Sequence, residues 1–585
     1  MKEQKIRFTP IPSTAEVEAE RERLAYRSRY MRVLRSTVYT LRRLSQIMMK
    51  KVIKTLLAAL LAVAMVCAMA IPAFAYDTEE DIDKNHCYDA FQIFKGDVSD
   101  DNTISNVQWG QNIPDDKDFL AQLKEDPTLR IPFQDANSLQ EVLDVMKGWT
   151  TSDDNSIAFA RFVCNYIYTD AHANSTPVKQ GGHTGGFELD EAGYYLIVDT
   201  SSFSSSADGD SYHAYNSFLL KVNKAHYHVQ ITPKVVKPTV EKKVYDNDDN
   251  SSWGDNDGWG SSADHAINEE FQFKLTATLP ASPDRAYDYY KEYAVLFNDT
   301  LSNGITYDGL DSVVIESKKI SYDITKDSSK YEVDDSHLKK DNSFVVSIPD
   351  VKTCVEDPEF NLNNGATITV TYTAHLNENA AVNGSADNKN SVRLQYSNNP
   401  RPDGKYWGYT PNYTPESEVY VYTYQLNNTK YHDTAEKGNE LKDVGFRLYS
   451  DADYKNEVEL YQDGEFYYPI KNASNKQAVE MKSAEDGTFN VKGLDAGTYY
   501  LKETKTPADY NPCDVPPVII KANHKGNQVD LNGSTLSTTI INNKAGGITL
   551  PSTGGIGTTL FYVVGGGLMV AAIVLLVTKK RMENK

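Results

Sequence analysis

Phe271-Gln272-Phe273-Lys274-Leu275-Thr276-Ala277-Thr278-Leu279 alternates apolar and polar residues at every step. A strand sends successive side chains to opposite faces, so Phe271, Phe273, Leu275, Ala277 and Leu279 share one face and the polar residues share the other. One buried and one solvated face suits an antiparallel sheet packed on a second sheet. Ala366-Thr367-Ile368-Thr369-Val370-Thr371-Tyr372 repeats the pattern. Both runs are expected to be half-buried strands of a β-sandwich. Upstream, in Val240-Glu241-Lys242-Lys243-Val244, the same period puts Lys242 on the face of Val240 and Val244. A charged lysine on a buried face is costly unless something neutralises it. Lys242 therefore needs a chemical explanation.

The 585 residues suffice for three or four domains at ~150 residues each. The 38 tyrosines, with recurrent Thr, Val and Asn, favour strands and turns over helices. A net charge of −21 argues against a nucleic-acid partner, which requires a basic face. The chain has no GxSxG or HExxH motif, and its five cysteines form no zinc spacing, so no external substrate, metal or cofactor is expected. Asp246, Asp248, Asn250, Asp255 and Asp257 suggest calcium at first sight. An EF-hand loop needs glycine at its sixth position, where Ser251 stands, and a solvated acidic hairpin is the reading. His226 and His228 lie two apart, share a strand face on this reading, and with no carboxylate partner expected nearby they read as exposed surface residues. Cys87 and Cys164 are either a disulfide, which an exported protein permits, or two buried thiols.

The ends of the chain carry addresses. Lys50, Lys51 and Lys54, an apolar stretch from Leu56 to Met69, and Ala73-Phe74-Ala75 have the layout of a secretory signal peptide over 48–75. The Arg-rich residues 1–47 are set aside as a leader or a mis-assigned start. At the other end Leu550-Pro551-Ser552-Thr553-Gly554 precedes an apolar run from Leu560 to Val577 and then Lys579, Lys580 and Arg581. The run approaches the ~20 residues of a membrane-crossing helix, and the basic end stays cytoplasmic. Pentapeptide, helix and basic tail over 550–585 resemble the cell-wall sorting signal of Gram-positive surface proteins. The resemblance implies that a sortase cleaves between Thr553 and Gly554, joins the Thr553 carboxyl to an amine, and leaves the chain on peptidoglycan.

Between these ends three regions are expected. The first, 76–235, mixes helix and strand. Leu139, Val142, Leu143 and Met146 share a helical face behind a Ser138/Glu141 capping box, and Ile157, Phe159, Phe162, Val163 and Tyr166 suggest a second helix. Strands are expected at 88–94, 193–198 and 217–222. The stretch from Tyr88 to Gly110 is similar to the N-terminal domain of Gram-positive backbone pilins. Val229-Gln230-Ile231-Thr232-Pro233-Lys234 resembles the pilin motif of sortase-assembled pili, although Thr232 stands for that family's tyrosine and Ala225 for its tryptophan. The resemblance implies that Lys234 accepts the threonine carboxyl of the next subunit, with Lys237 as competitor.

The second region, 236–424, resembles the D2-type isopeptide-forming domain of fimbrial proteins, on Pro238-Thr239-Val240-Glu241-Lys242, Asn298-Asp299-Thr300-Leu301-Ser302-Asn303-Gly304 and Asn390-Ser391-Val392-Arg393-Leu394-Gln395-Tyr396. That implies an amide between Lys242 and Asn390, assisted by Asp299 acting on the Asn390 carbonyl; Lys243 and Asn388 are alternative partners. In the third, 425–545, Gly445-Phe446-Arg447-Leu448-Tyr449, Tyr499-Tyr500-Leu501-Lys502-Glu503-Thr504 and Ile541-Asn542-Asn543-Lys544 are similar to a Cna B-type, prealbumin-like domain. That implies a second amide, Lys430 to Asn542 with Glu503 assisting, Asn543 being the alternative. Each bond is expected to tie the first and last strands of its sandwich.

The fold class expected is therefore mainly β: tandem immunoglobulin-like and prealbumin-like sandwiches, an α+β N-terminal domain and a C-terminal transmembrane helix. The implied function is a backbone-type pilus subunit, whose partners are sortase, identical subunits and peptidoglycan. A singly anchored adhesin or minor pilin binding a host surface ligand is the alternative.

Overall fold

The computed structural model describes residues 86–98, 104–150, 153–169, 175–183, 187–200, 217–224, 226–229, 237–246, 258–400 and 413–546. The expected signal peptide, Lys234, the LPSTG stretch, the membrane helix and most of the acidic loop lie outside them. Among the described residues no helix is long and apolar enough to cross a membrane.

In the first region a sheet runs in the order Ile104–Trp109, Cys87–Val98, Gly193–Asp199, Ser217–Val222, and Lys179–His183 pairs with the Cys87–Val98 strand. Helices α1 (Asp116–Glu125), α2 (Leu139–Met146) and α3 (Asp154–Tyr168) supply most of the rest. Phe91, Phe94, Leu196 and Val198 from the sheet share one core with Phe119 of α1, Val142 of α2 and Phe159 and Phe162 of α3. The capping box starts α2: Glu141 N–H reaches Ser138 Oγ, and the Glu141 carboxylate accepts from Asn137 N–H at 2.7 Å. Helix α1 was not anticipated; Asp115 caps it by accepting from Lys117 and Asp118 N–H.

The second region is a sandwich of two six-stranded sheets. One runs Ile320–Asp323, Ile305–Ser317, Ala366–Leu376, Glu270–Leu279, Thr239–Tyr245, Trp259–Gly260. The other runs Ser262–Asp264, Ser417–Tyr422, Lys389–Tyr396, Val295–Leu301, Ser343–Ile348, Glu332–Asp334. The two runs whose alternation predicted strands are neighbours, with Phe271 opposite Ala374, Phe273 opposite Tyr372 and Leu275 opposite Val370. Their inward residues join Val295, Phe297, Val346 and Leu394 of the facing sheet, each worth ~1.5–3 kcal/mol on full burial.

The third region packs the sheet Leu460–Asp463, Phe466–Pro469, Asn490–Leu494, Tyr424–His432, Ser537–Asn542 against Met481–Lys482, Gly445–Tyr449, Gly497–Lys505, Val518–Ile520. Its first and last strands, Tyr424–His432 and Ser537–Asn542, run side by side in parallel.

Four expectations need correction. Asp246 is not a solvated loop residue: it is 4% exposed, packed where the second and third regions meet. His226 and His228 do not share a strand face, because His226 precedes Tyr227–Val229 with a left-handed φ of 53°. Nor does His226 lack a carboxylate, since pairing of Phe187–Leu189 with Tyr227–Val229 brings Glu188 to 3.0 Å. Finally, Lys389–Tyr396 is not the last strand of the second sandwich; Ser417–Tyr422 follows it and pairs with it.

Candidate functional site

Lys242 lies on the inward face of Thr239–Tyr245, as the alternation requires, and is buried between Leu275 on the neighbouring strand and the facing sheet. Asp299 comes from Val295–Leu301 and Asn390 from Lys389–Tyr396, neighbours in that facing sheet. All three are essentially closed to water. The Lys242 amine contacts an Asp299 carboxyl oxygen and donates to Asn390 Oδ1 at 2.6 Å. The alternatives lie elsewhere. Lys243 is half-exposed and pairs loosely with Glu241 at 4.0 Å, while the Asn388 amide donates to the Ala381 and Val421 carbonyls.

Tyr372 is the member of this cluster that the sequence reading did not single out. Its hydroxyl accepts from Lys242 Nζ at 3.0 Å and from Asn390 Nδ2 at 2.6 Å, and donates to Asp299 Oδ1 at 3.1 Å. The signal was available, because the alternation that buries Ile368 and Val370 also buries Tyr372, and a buried phenol seeks a polar partner. The rings of Phe273 and Tyr372 lie 5.1 and 5.3 Å from the amine. Burial pulls the Lys242 pKa down to about 8, against the opposing pull of the Asp299 charge. Burial pushes the Asp299 carboxyl up, with the lysine acting against it. Both displacements favour the neutral acid and the neutral amine.

The third region repeats the composition with different wiring. Lys430 sits on Tyr424–His432, and its amine contacts Asn542 Oδ1 at the end of the adjacent parallel strand. Glu503 reaches in from Gly497–Lys505 of the opposite sheet, and its Oε1 accepts from Asn542 Nδ2 at 2.8 Å. Between acid and amine stands Cys513, also unforeseen from the sequence. Its sulfur accepts from Lys430 Nζ at 3.5 Å, while its S–H donates to Glu503 Oε2 at 3.1 Å. Burial first, then the Glu503 contact, push the thiol up to about 11, so it stays protonated at neutral pH. Burial lowers the Lys430 pKa. Asn543 is exposed and uses its carbonyl to accept from Asn511 N–H at 2.9 Å, leaving Asn542 as the amide beside the lysine.

Two regions match family models: residues 427–535 match the SpaA prealbumin-like fold domain and residues 542–584 the LPXTG cell wall anchor motif. Among curated proteins none matches the chain. Solved structures give low-identity likenesses. The T6 backbone pilin of Streptococcus pyogenes is 16% identical, over 79% of this chain and 97% of its own, with TM-score 0.45. The major pilin SpaD of Corynebacterium diphtheriae is 20% identical over 65% and 84%, at 0.39, and the group B streptococcus pilus 2b backbone protein 22% over 52% and 98%, at 0.35. Prealbumin-like domain and anchor motif together define a cell-wall-anchored surface protein of a Gram-positive bacterium.

Proposed function

We propose that the chain is a backbone-type pilus subunit, polymerised and wall-anchored by sortase, with two internal Lys–Asn amides that carry load through its sandwiches. The observation that carries this reading is that successive sandwiches of one chain bearing an LPXTG motif each bury a lysine beside an asparagine, with an acid in contact: Asp299, itself buried, in the first and the partly buried Glu503 in the second. An enclosed lysine beside an asparagine is poorly explained by stability alone, since an apolar residue of similar volume fills such a site at no desolvation cost.

The chemistry follows from the contacts. Lys242 passes a proton to Asp299 and becomes a neutral nucleophile, which burial favours. Its nitrogen attacks Asn390 Cγ, and the C–Nδ2 bond breaks as the new C–Nζ bond forms. The leaving Nδ2 takes up the second amine proton and the proton parked on Asp299, so the nitrogen departs as ammonium and the carboxylate ends as it began. Asp299 reaches the leaving Nδ2 through the Tyr372 hydroxyl, so its assistance to the amide is relayed rather than direct. In the third region Glu503 meets the leaving nitrogen itself and reaches Lys430 through Cys513. Folding supplies the proximity, an effect worth up to ~7–11 kcal/mol of barrier.

Between subunits the Thr553 carboxyl would pass to Lys234. Co-expression with a pilus-type sortase should give a ladder of covalent polymers that Lys234→Ala abolishes and Lys237→Ala leaves intact. A single wall-linked species and no ladder would point instead to a singly anchored adhesin or minor pilin.

A further inference from the structure

Where the second and third regions meet, three buried side chains converge that play no part in the amide chemistry. Asp246 follows the Lys242 strand, Asp264 ends Ser262–Asp264, and His524 sits in the hairpin strand Asn523–Lys525 of the third region. They are 4%, 4% and 1% exposed, and one ligand atom from each lies within 4.8 Å of the others. Each is held in place. Asp246 Oδ2 accepts from Asp264 N–H at 3.0 Å, Asp264 Oδ2 accepts from the Tyr424 hydroxyl at 2.9 Å, and His524 Nδ1 meets Ser262 Oγ at 3.0 Å. With Nδ1–H donating to that hydroxyl, the Nε2 lone pair faces the carboxylates, the arrangement by which an outer hydrogen bond orients a histidine ligand.

Two carboxylates this close, out of water, repel each other, and a cation between them or a proton on one of them relieves that repulsion. A protonated His524 is one candidate, but Nε2 lies 3.4 Å from Asp264 Oδ1, beyond the ~2.7–3.2 Å of an N–H···O bond. The same separation suits two ligands of one tetrahedral ion, because bonds of ~2.1 Å at that angle place their ends ~3.4 Å apart. One imidazole with carboxylates is a donor set for zinc-class divalent ions rather than for calcium, which takes oxygen ligands.

We propose that Asp246, Asp264 and His524 form a zinc-class divalent-cation site that clamps the third region onto the second. This revises the sequence expectation that the chain holds no metal. The clamp would act beside the contacts already joining these regions, among them Tyr422 hydroxyl to Gly526 carbonyl at 2.8 Å and Ile267 N–H to Gly493 carbonyl at 3.0 Å.

The test uses the full chain, stripped with a chelator, dialysed and titrated with zinc chloride, with calcium chloride in parallel. The expected result is one tightly held zinc per chain, a raised melting temperature, and no comparable response to calcium. Ser262→Ala should weaken zinc by ~10–100-fold through loss of the orienting bond, and His524→Gln should abolish tight binding. Glu188→Gln, in the exposed Glu188, Asp190 and His226 group, should leave the titration unchanged. Absence of saturable zinc binding, or binding unaltered in both His524→Gln and Ser262→Ala, would overturn the site. A melting temperature indifferent to zinc and chelator but rising on acidification through the histidine range would overturn it too, in favour of a charged histidine bridging the carboxylates.

Discussion

Lys242 and Lys430 are both shut away from water, yet their acids approach the neighbouring amine and amide by opposite routes. Asp299 touches its amine and reaches its amide through Tyr372; Glu503 touches its amide and reaches its amine through Cys513. The consequence for pH is clearest where the amide cannot form. In Asn390→Ala the Lys242 amine stays free, with a pKa of about 8 folded against its ordinary 10.5 unfolded. Between those values the unfolded chain holds more protons, so stability rises with pH across that window. The penalty on the charged amine is complete below about 8 and gone above 10.5. Denaturant midpoints of the variant, measured against the parent, should therefore close part of their gap between about pH 7.5 and about pH 9.5. A gap that stays constant or widens would mean the lysine carries no such penalty.

At the scale of strands, the two proposed amides do different jobs. Lys242 to Asn390 would cross from one sheet of its sandwich to the other, whereas Lys430 to Asn542 would join adjacent parallel strands of one sheet. Force entering near Thr239 would pass through the first bond and bypass the intervening chain, a separation of 148 residues. In single-molecule pulling, Asp299→Ala should release an extra step of roughly 500 Å, at ~3.3–3.6 Å per residue, and the parent should not. A parent that yields the same step would refute the staple. Much of this arrangement was legible beforehand, because the period of two that buries Phe273 also buries Lys242, and a buried lysine advertises chemistry. The relays were less so. Tyr372 read as an ordinary inward residue, and Cys513 lies in a stretch with no period, its position set by how that stretch folds back over Glu503. The Asp246, Asp264 and His524 group was hidden altogether, since His524 is some 260 residues from Asp264 and meets it only through packing of two regions.

Across the described residues, the two sandwiches are joined by bonds such as Tyr422 hydroxyl to Gly526 carbonyl, and the first region is tied to the second where Arg161 donates to the Asp288 carbonyl and Arg285 pairs with Asp154. Closing loops of 148 and 112 residues would restrict the unfolded chain by ~5 kcal/mol each, by the reasoning applied to disulfides. All of this rests on whether the amides form. Intact mass of the exported chain, with peptide mapping, decides it. The account predicts a mass two ammonia molecules below that of the unmodified sequence, with Lys242 linked to Asn390 and Lys430 to Asn542, and a deficit of one in Asp299→Ala. A mass equal to that of the unmodified sequence would contradict it.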